Sequence, residues 1–424
     1  MKILTYQRSR SSALALALAF AGAGVLGIGA FETPAYAQKK AKEDKRAAKQ
    51  DYSKEFVAVY EPLAKQINAG GDAAAMKGQV PSLAAAATTA DDRMAAGGLI
   101  LQIGQKSSDP ALQRQGLEMM LASGKVAAEN LGQYNFFAGQ LAYNAREFAK
   151  ARQFFEQALA NGSQDNPEAL IAETYFQENN FNEGLAYLSR AIAAQRAAGK
   201  PVDEAWIKRG MSVAYNNQLA PQASEYGLMF VENYPTPSNW ADVIIIQTQQ
   251  NLANPEILDL MRLAREAKAM REESFFADYV DAADYRRLPG EVVAVIDEGY
   301  ASGKIVRNKA FMDDLRTQAQ SRVAGDRKEL PGIIRTAQGS SDMKTVLAAA
   351  DMALGYGDYA AAETLYRKLA DMPGADKGLV QTRLGIAQYK QGKVADAKTT
   401  FDAVTGPRAS IAKLWSVLAS QQGA

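Results

Sequence analysis

The residue types that most often carry out chemistry are missing from this chain: its 424 residues include no histidine and no cysteine. Their absence removes the usual general base, the Ser-His-Asp arrangement, thiolate nucleophiles, disulfides and most zinc geometries. Catalysis would have to rest on carboxylates, lysines, tyrosines or an oxygen-ligated metal. Carboxylate pairs stand at Asp91-Asp92 and Asp313-Asp314. Neither has the alternation or the glycine of a calcium loop, so both are expected as helix-start or surface charges. Gly70-Gly71 and Gly97-Gly98 lack the strand-loop-helix setting and the lysine of a phosphate loop. Asn161-Gly162-Ser163 fits a glycosylation sequon and is read as a turn. A glycan-cleaving enzyme would need two carboxylates facing one cleft at roughly 5–10 Å, and no spacing in the sequence pairs them. No catalytic residue, metal site or cofactor is expected.

The chain must supply helices to position anything else. Apolar residues make up 47%, enough for a continuous core, and the formal charge of +1 gives no general pull toward nucleic acid or anionic lipid. Lys2, Arg8 and Arg10 precede an apolar run from Ala13 to Phe31, followed by Pro34-Ala35-Tyr36-Ala37. A basic segment, an apolar segment and a small-x-small site together read as a secretory signal peptide cleaved after Ala37. Without a cysteine there is no lipid attachment point at the new N-terminus, and a bacterial periplasm is the expected compartment. Residues 38–50 are rich in lysine, which suits either a solvated leader or contact with phospholipid headgroups.

From Tyr52 onward the hydrophobic pattern is helical and no stretch reads as a strand. Ser53 is placed to cap a helix running toward Ile67 with Phe56, Val59, Tyr60 and Leu63 on one face. The Ala-rich piece from Leu83 to Ala90 predicts a helix with little bulk to pack, a loose cap over the next repeat. Gly357-Asp358-Tyr359-Ala360-Ala361-Ala362-Glu363-Thr364-Leu365-Tyr366 returns 35 residues later as Gly392-Lys393-Val394-Ala395-Asp396-Ala397-Lys398-Thr399-Thr400-Phe401. Self-similarity at about 34 residues marks a stacked array of helical hairpins.

In these residues the chain resembles the tetratricopeptide repeat (TPR) family. That family wants a small residue at position 8 of the first helix and another at position 20 of the second, where the helices cross. Gly104 and Gly116, Gly139 and Ala151, Ala172 and Gly184, Ala350 and Ala362, and Gly385 and Ala397 fill the two positions. A looser window has Trp206, Ala223 and Phe230 in step but Met211 at the small place. The resemblance implies an all-α fold, a right-handed α-solenoid of stacked helix-turn-helix repeats. The expected organisation is a signal peptide (1–37), basic leader and capping helices (38–97), a first repeat block (98–238), divergent helical hairpins or a hinge (239–341), and a second repeat block with a closing helix (342–424). In the closing helix Ile411, Leu414, Trp415 and Leu418 should pack while Lys413, Ser416, Ser420 and Gln421 face solvent.

What the resemblance implies for function is a non-enzymatic scaffold or adaptor holding a protein or peptide in a groove lined by the first helix of each repeat. The positions that face such a groove hold Tyr143-Asn144, Phe176-Gln177 and Tyr215-Asn216, an aromatic-amide pair occurring three times, with Glu173 and Lys208 adding charge. An amide can donate to and accept from an extended backbone, and the ring offers apolar contact at low entropic cost. The same residues can instead pack between hairpins and end the first helix. Two other functions remain open: an envelope assembly factor at the membrane surface, and a carboxylate-based glycan-cleaving enzyme on a helical scaffold.

Overall fold

The computed structural model describes residues 50–306 and 310–422. The expected signal peptide and all but the last residue of the basic leader lie outside the described residues. Among the described residues the secondary structure is helical, with no strand. The chain divides into two units, Met1–Pro201 and Val202–Ala424.

In the first unit the helices are α1 (Lys54–Asn68), α2 (Ala73–Met76), α3 (Val80–Ala86), α4 (Ala90–Lys106), α5 (Pro110–Ala122), α6 (Ala128–Asn144), α7 (Phe148–Ala160), α8 (Pro167–Gln177) and α9 (Phe181–Ala197). From α4 onward each helix packs mainly on its neighbours in sequence. Ser53 caps α1 as expected, its hydroxyl accepting from the Phe56 amide. Asp92 then ties two helix starts together: it completes a capping box with Thr89 on α4 and accepts from both the amide and the hydroxyl of Ser53. Burial pushes the Asp92 carboxyl up, but these hydrogen bonds from Thr89 and Ser53 outweigh it and hold the group below the usual carboxylate range. The Ala-rich piece is not the loose cap its composition suggested. Met76, Val80 and Leu83, just before and within it, are fully buried in one cluster with Phe56, Ile67, Leu99 and Ile103.

Glycines set the spacing of the hairpins. A Cβ on Gly104 would stand 2.6 Å from the Gln113 amide nitrogen, and one on Gly116 would stand 2.5 Å from that of Leu101. The α4–α5 backbones therefore approach more closely than any side chain allows. Elsewhere an aromatic ring lies on the glycine: Phe155 on Gly139 across α6–α7, and Phe176 on Gly184 across α8–α9.

The second unit holds α10 (Glu204–Asn216), α11 (Ala220–Asn233), α12 (Pro237–Thr248), α13 (Asn254–Glu266), α14 (Glu273–Ala283), α15 (Pro289–Ala301), α16 (Ala310–Gly339), α17 (Met343–Tyr356), α18 (Tyr359–Ala370), α19 (Lys377–Lys390), α20 (Val394–Asp402) and α21 (Ala409–Gln422). The ring-on-glycine contact returns with Phe401 on Gly385. In the looser window it is made by Tyr226 on Gly210 rather than at Met211. Glycine and ring have both moved one residue earlier, so their separation of sixteen residues is kept. Within the segment expected as divergent hairpins or a hinge, α14 and α15 pack as neighbours, with Asp284 at φ 54° between them and Pro289 opening α15.

The last helices of this unit return to its first ones. α21 packs on α11 and α13, and α19 also reaches α13. This corrects the expectation for the closing helix. Lys413 and Ser420 are exposed, but Ser416 is buried and donates to Asp402, and the Gln421 amide donates to the Val231 carbonyl at 2.7 Å. A second packed surface narrows the solvated face that a terminal repeat would need.

Candidate functional site

The three aromatic-amide pairs end three helices: Asn144, Gln177 and Asn216 are the last residues of α6, α8 and α10. Two residues on from each amide the backbone turns left-handed, at Arg146 (φ 62°), Asn179 (φ 60°) and Gln218 (φ 58°). The next amide then bonds back five residues, Glu147 to Ala142, Asn180 to Tyr175 and Leu219 to Ala214. This is a Schellman-type stop, and it recurs after α4 at Ser108 and after α19 at Gly392.

The amides of all three pairs are exposed, whereas the rings differ. Phe176 is buried on Gly184. Tyr143 is half-buried and meets Phe148 edge-on at 5.5 Å. Tyr215 is 45% exposed. Around them the Gln177 amide donates to Glu173 at 2.8 Å, Asn216 donates to Ser212 at 3.3 Å, and Lys208 pairs with Glu204 at 2.7 Å. Tyr143, Asn144, Glu173, Phe176 and Gln177 belong to the first unit, and Lys208, Tyr215 and Asn216 to the second. In the later repeats the corresponding residues serve packing. Tyr389 is buried edge-on against Trp415 at 5.5 Å, Lys390 pairs with Glu266 at 2.6 Å, and a Cβ on Gly355 would stand 2.8 Å from the Glu291 carboxylate.

That carboxylate belongs to a network absent from the sequence-based expectations. Inside the second unit three carboxylates, Asp259, Glu291 and Asp351, meet three guanidiniums, Arg262, Arg383 and Arg408, and none of the six is more than 6% exposed. Asp259 on α13 accepts from Arg262 and Arg383 at 3.0 Å and from Arg408 at 2.6 Å. Arg383 on α19 also holds both Asp351 oxygens at 2.7 Å, and Arg262 holds both oxygens of Glu291. Tyr279 donates to Glu291 at 2.8 Å, Tyr366 to Asp351 at 2.7 Å, and the Trp415 indole to the Asp259 carbonyl at 3.0 Å.

Burial pushes the Asp259 carboxyl up, but the charges of Arg383, Arg262 and Arg408 win and hold it below the usual range. For Glu291 the same contest is decided by Arg262 and the Tyr279 hydroxyl. Both tyrosine hydroxyls are pushed far up, by burial first and then by the carboxylate each one faces. A general acid must hold a proton near neutral pH, and Asp259 and Glu291 are kept ionised and saturated with donors. Asp259 locks α13 to residues more than a hundred positions away, and Glu291 ties α13 to α15.

One pocket of about 220 Å³ opens between α12 and α14, with Met261 of α13 in its wall. Ile244, Ile245 and Phe275 supply further apolar surface, and Thr248, Gln249, Ser274, Glu272 and Asp278 supply the polar part. Among the described residues, no group of three or more acidic side chains is arranged to hold a metal ion. Nor is any helix among them long and apolar enough to cross a membrane.

No protein-family model matches the chain, and no curated protein matches it significantly.

Proposed function

We propose that the protein is a non-enzymatic, exported TPR-type scaffold, a right-handed array that holds a protein or peptide partner at the exposed ends of its hairpin helices. The observation that carries this reading is the repeated helix end: Asn144 and Gln177 are exposed in the first unit, and in the second Asn216 is exposed beside the open ring of Tyr215. Backbone-reading amides next to an aromatic contact suit an extended peptide. The lysine-rich leader is then a solvated tether and the compartment is the periplasm. The glycan-cleaving alternative has less support, because the carboxylates that come together in the second unit are engaged by arginine.

The test is affinity capture from periplasmic extract, using mature wild-type protein beside two variants, Tyr215→Ala/Asn216→Ala and Tyr143→Ala/Asn144→Ala. The expected result is a saturable partner depleted on at least one variant whose thermal midpoint stays near wild type. Identical captured sets on all three folded proteins would overturn the assignment of this surface.

A further inference from the structure

The pocket between α12 and α14 carries an inference that rests on the scaffold reading. Its acidic residues differ from others nearby. Asp242 is paired with Arg271, Asp284 with Arg286, Asp297 with Arg316 and Glu298 with Arg265. Among the described residues, Glu272 and Asp278 at the pocket, and Asp281 one turn beyond, have no cationic side chain within 4.0 Å. Glu272 and Glu273 offset the positive N-terminal end of their own helix, which leaves Asp278 and Asp281 as surplus negative charge. Burial, and then the Asp281 charge, push the Asp278 carboxyl above its ordinary range. Asp278 is exposed and keeps contact with water, but no cationic side chain balances it. Beneath it lie Ile244, Phe275 and Met261, each at most 3% exposed, with Ile245 half-buried beside them.

An apolar shaft with anionic groups at its mouth matches a side chain with an aliphatic stem and a cationic head. The volume, below that of sites for drug-sized ligands, suits one such side chain. We propose that this pocket takes a lysine or arginine side chain projecting from the partner peptide, with its stem against Ile245, Met261 and Phe275 and its head at Asp278 and Glu272. The partner's cation would offset the repulsion that Asp281 exerts on Asp278 in the free protein.

The experiment titrates methyl-labelled full-length mature protein with three capped tripeptides, glycine flanking arginine, lysine or citrulline, while following the isoleucine and methionine methyl resonances. Citrulline keeps the shape of arginine without its charge. The inference expects saturable shifts at Ile244, Ile245 and Met261 with arginine or lysine, at least fivefold weaker with citrulline. It also expects at least a fivefold loss in the Glu272→Gln/Asp278→Asn variant. That variant should fold with a thermal midpoint near wild type, because the repulsion relieved at Asp278 offsets the helix-end charge lost at Glu272. Absent shifts, equal shifts with citrulline, or shifts surviving in the variant would each overturn the pocket. Such a failure, with a partner still captured through Tyr215 and Asn216, would leave the scaffold standing. Binding here with no partner captured would remove the scaffold reading and keep the pocket.

Discussion

Replacing Asp259 by asparagine removes one negative charge and almost no volume from a network whose six buried charged members are at most 6% exposed, with Arg287 reaching Asp351 from the surface at 3.6 Å. The magnitude follows from the charges left behind. Arg262 keeps Glu291, and Arg383 keeps Asp351, but Arg408 loses the carboxylate that it holds at 2.6 Å. The site then carries one uncompensated buried charge. Breaking a buried pair in this way costs about 3–5 kcal/mol. All three tryptophans, Trp206, Trp240 and Trp415, are buried in the second unit, so indole fluorescence during urea unfolding reports on that unit alone. With a urea slope of about 3 kcal/mol/M, the midpoint should fall by about 1–1.7 M. A second variant makes the test specific. Asp259→Asn/Arg408→Met restores neutrality and should recover at least about 1 kcal/mol relative to the sum of the single changes. A loss below about 1 kcal/mol in Asp259→Asn, or strict additivity in the double variant, would refute the view that these groups act as one network.

Two further expectations concern packing and acid stability. In Gly210→Ala the new methyl group would fall inside contact distance of the Tyr226 ring, and the crossing of α10 and α11 leaves little room for it to move; a loss of about 1–3 kcal/mol is expected, and a melting temperature equal to wild type would mean the crossing adjusts freely. Burial alone would raise the Glu363 carboxyl, but hydrogen bonds from Lys393, Arg367 and Gln391 win and bring it down to about 2. Because its folded value is depressed, its stabilisation is fully present above the unfolded value of about 4.3 and is lost as pH falls toward 2. Lys393 and Arg367 are 44% and 56% exposed, so solvent screening limits the contribution to about 1 kcal/mol. Fluorescence-monitored unfolding of Glu363→Gln from pH 6 to pH 2.5 should therefore show a shallower decline than wild type, and parallel curves would count against this assignment.

The hairpins were legible because their determinants are local. A glycine, and a ring sixteen residues on, bring two consecutive helices together whatever happens elsewhere, as at Gly139–Phe155 and Gly385–Phe401. The looser window was misplaced at Met211 because both members, Gly210 and Tyr226, had moved by one residue. Following the spacing of the pair, rather than a fixed position, would have found it. The amides of the candidate surface were legible as helix ends, but the fate of each neighbouring ring was not. Burial of Phe176 and exposure of Tyr215 depend on which side chains the following helix brings to that spot. The ion network left one usable trace, single charges on otherwise apolar faces: Asp351 within Leu347–Leu354, and Arg383 between Val380 and Leu384. Their partners were out of reach, because the Arg383–Asp259 pair spans 124 residues and no local periodicity says which distant helix returns.

The return of α19 and α21 to α13 also fixes an order of events during synthesis. An open array can settle from its N-terminal end as the chain emerges, since each repeat needs only its neighbours. Asp259 needs Arg408, which is translated 149 residues later. At about 5–20 residues per second that is a wait of roughly 7–30 s. During that interval α13 has its carboxylate and no completed lock. The lock that ties α13 to the later helices thus stays open until Arg408 has been made.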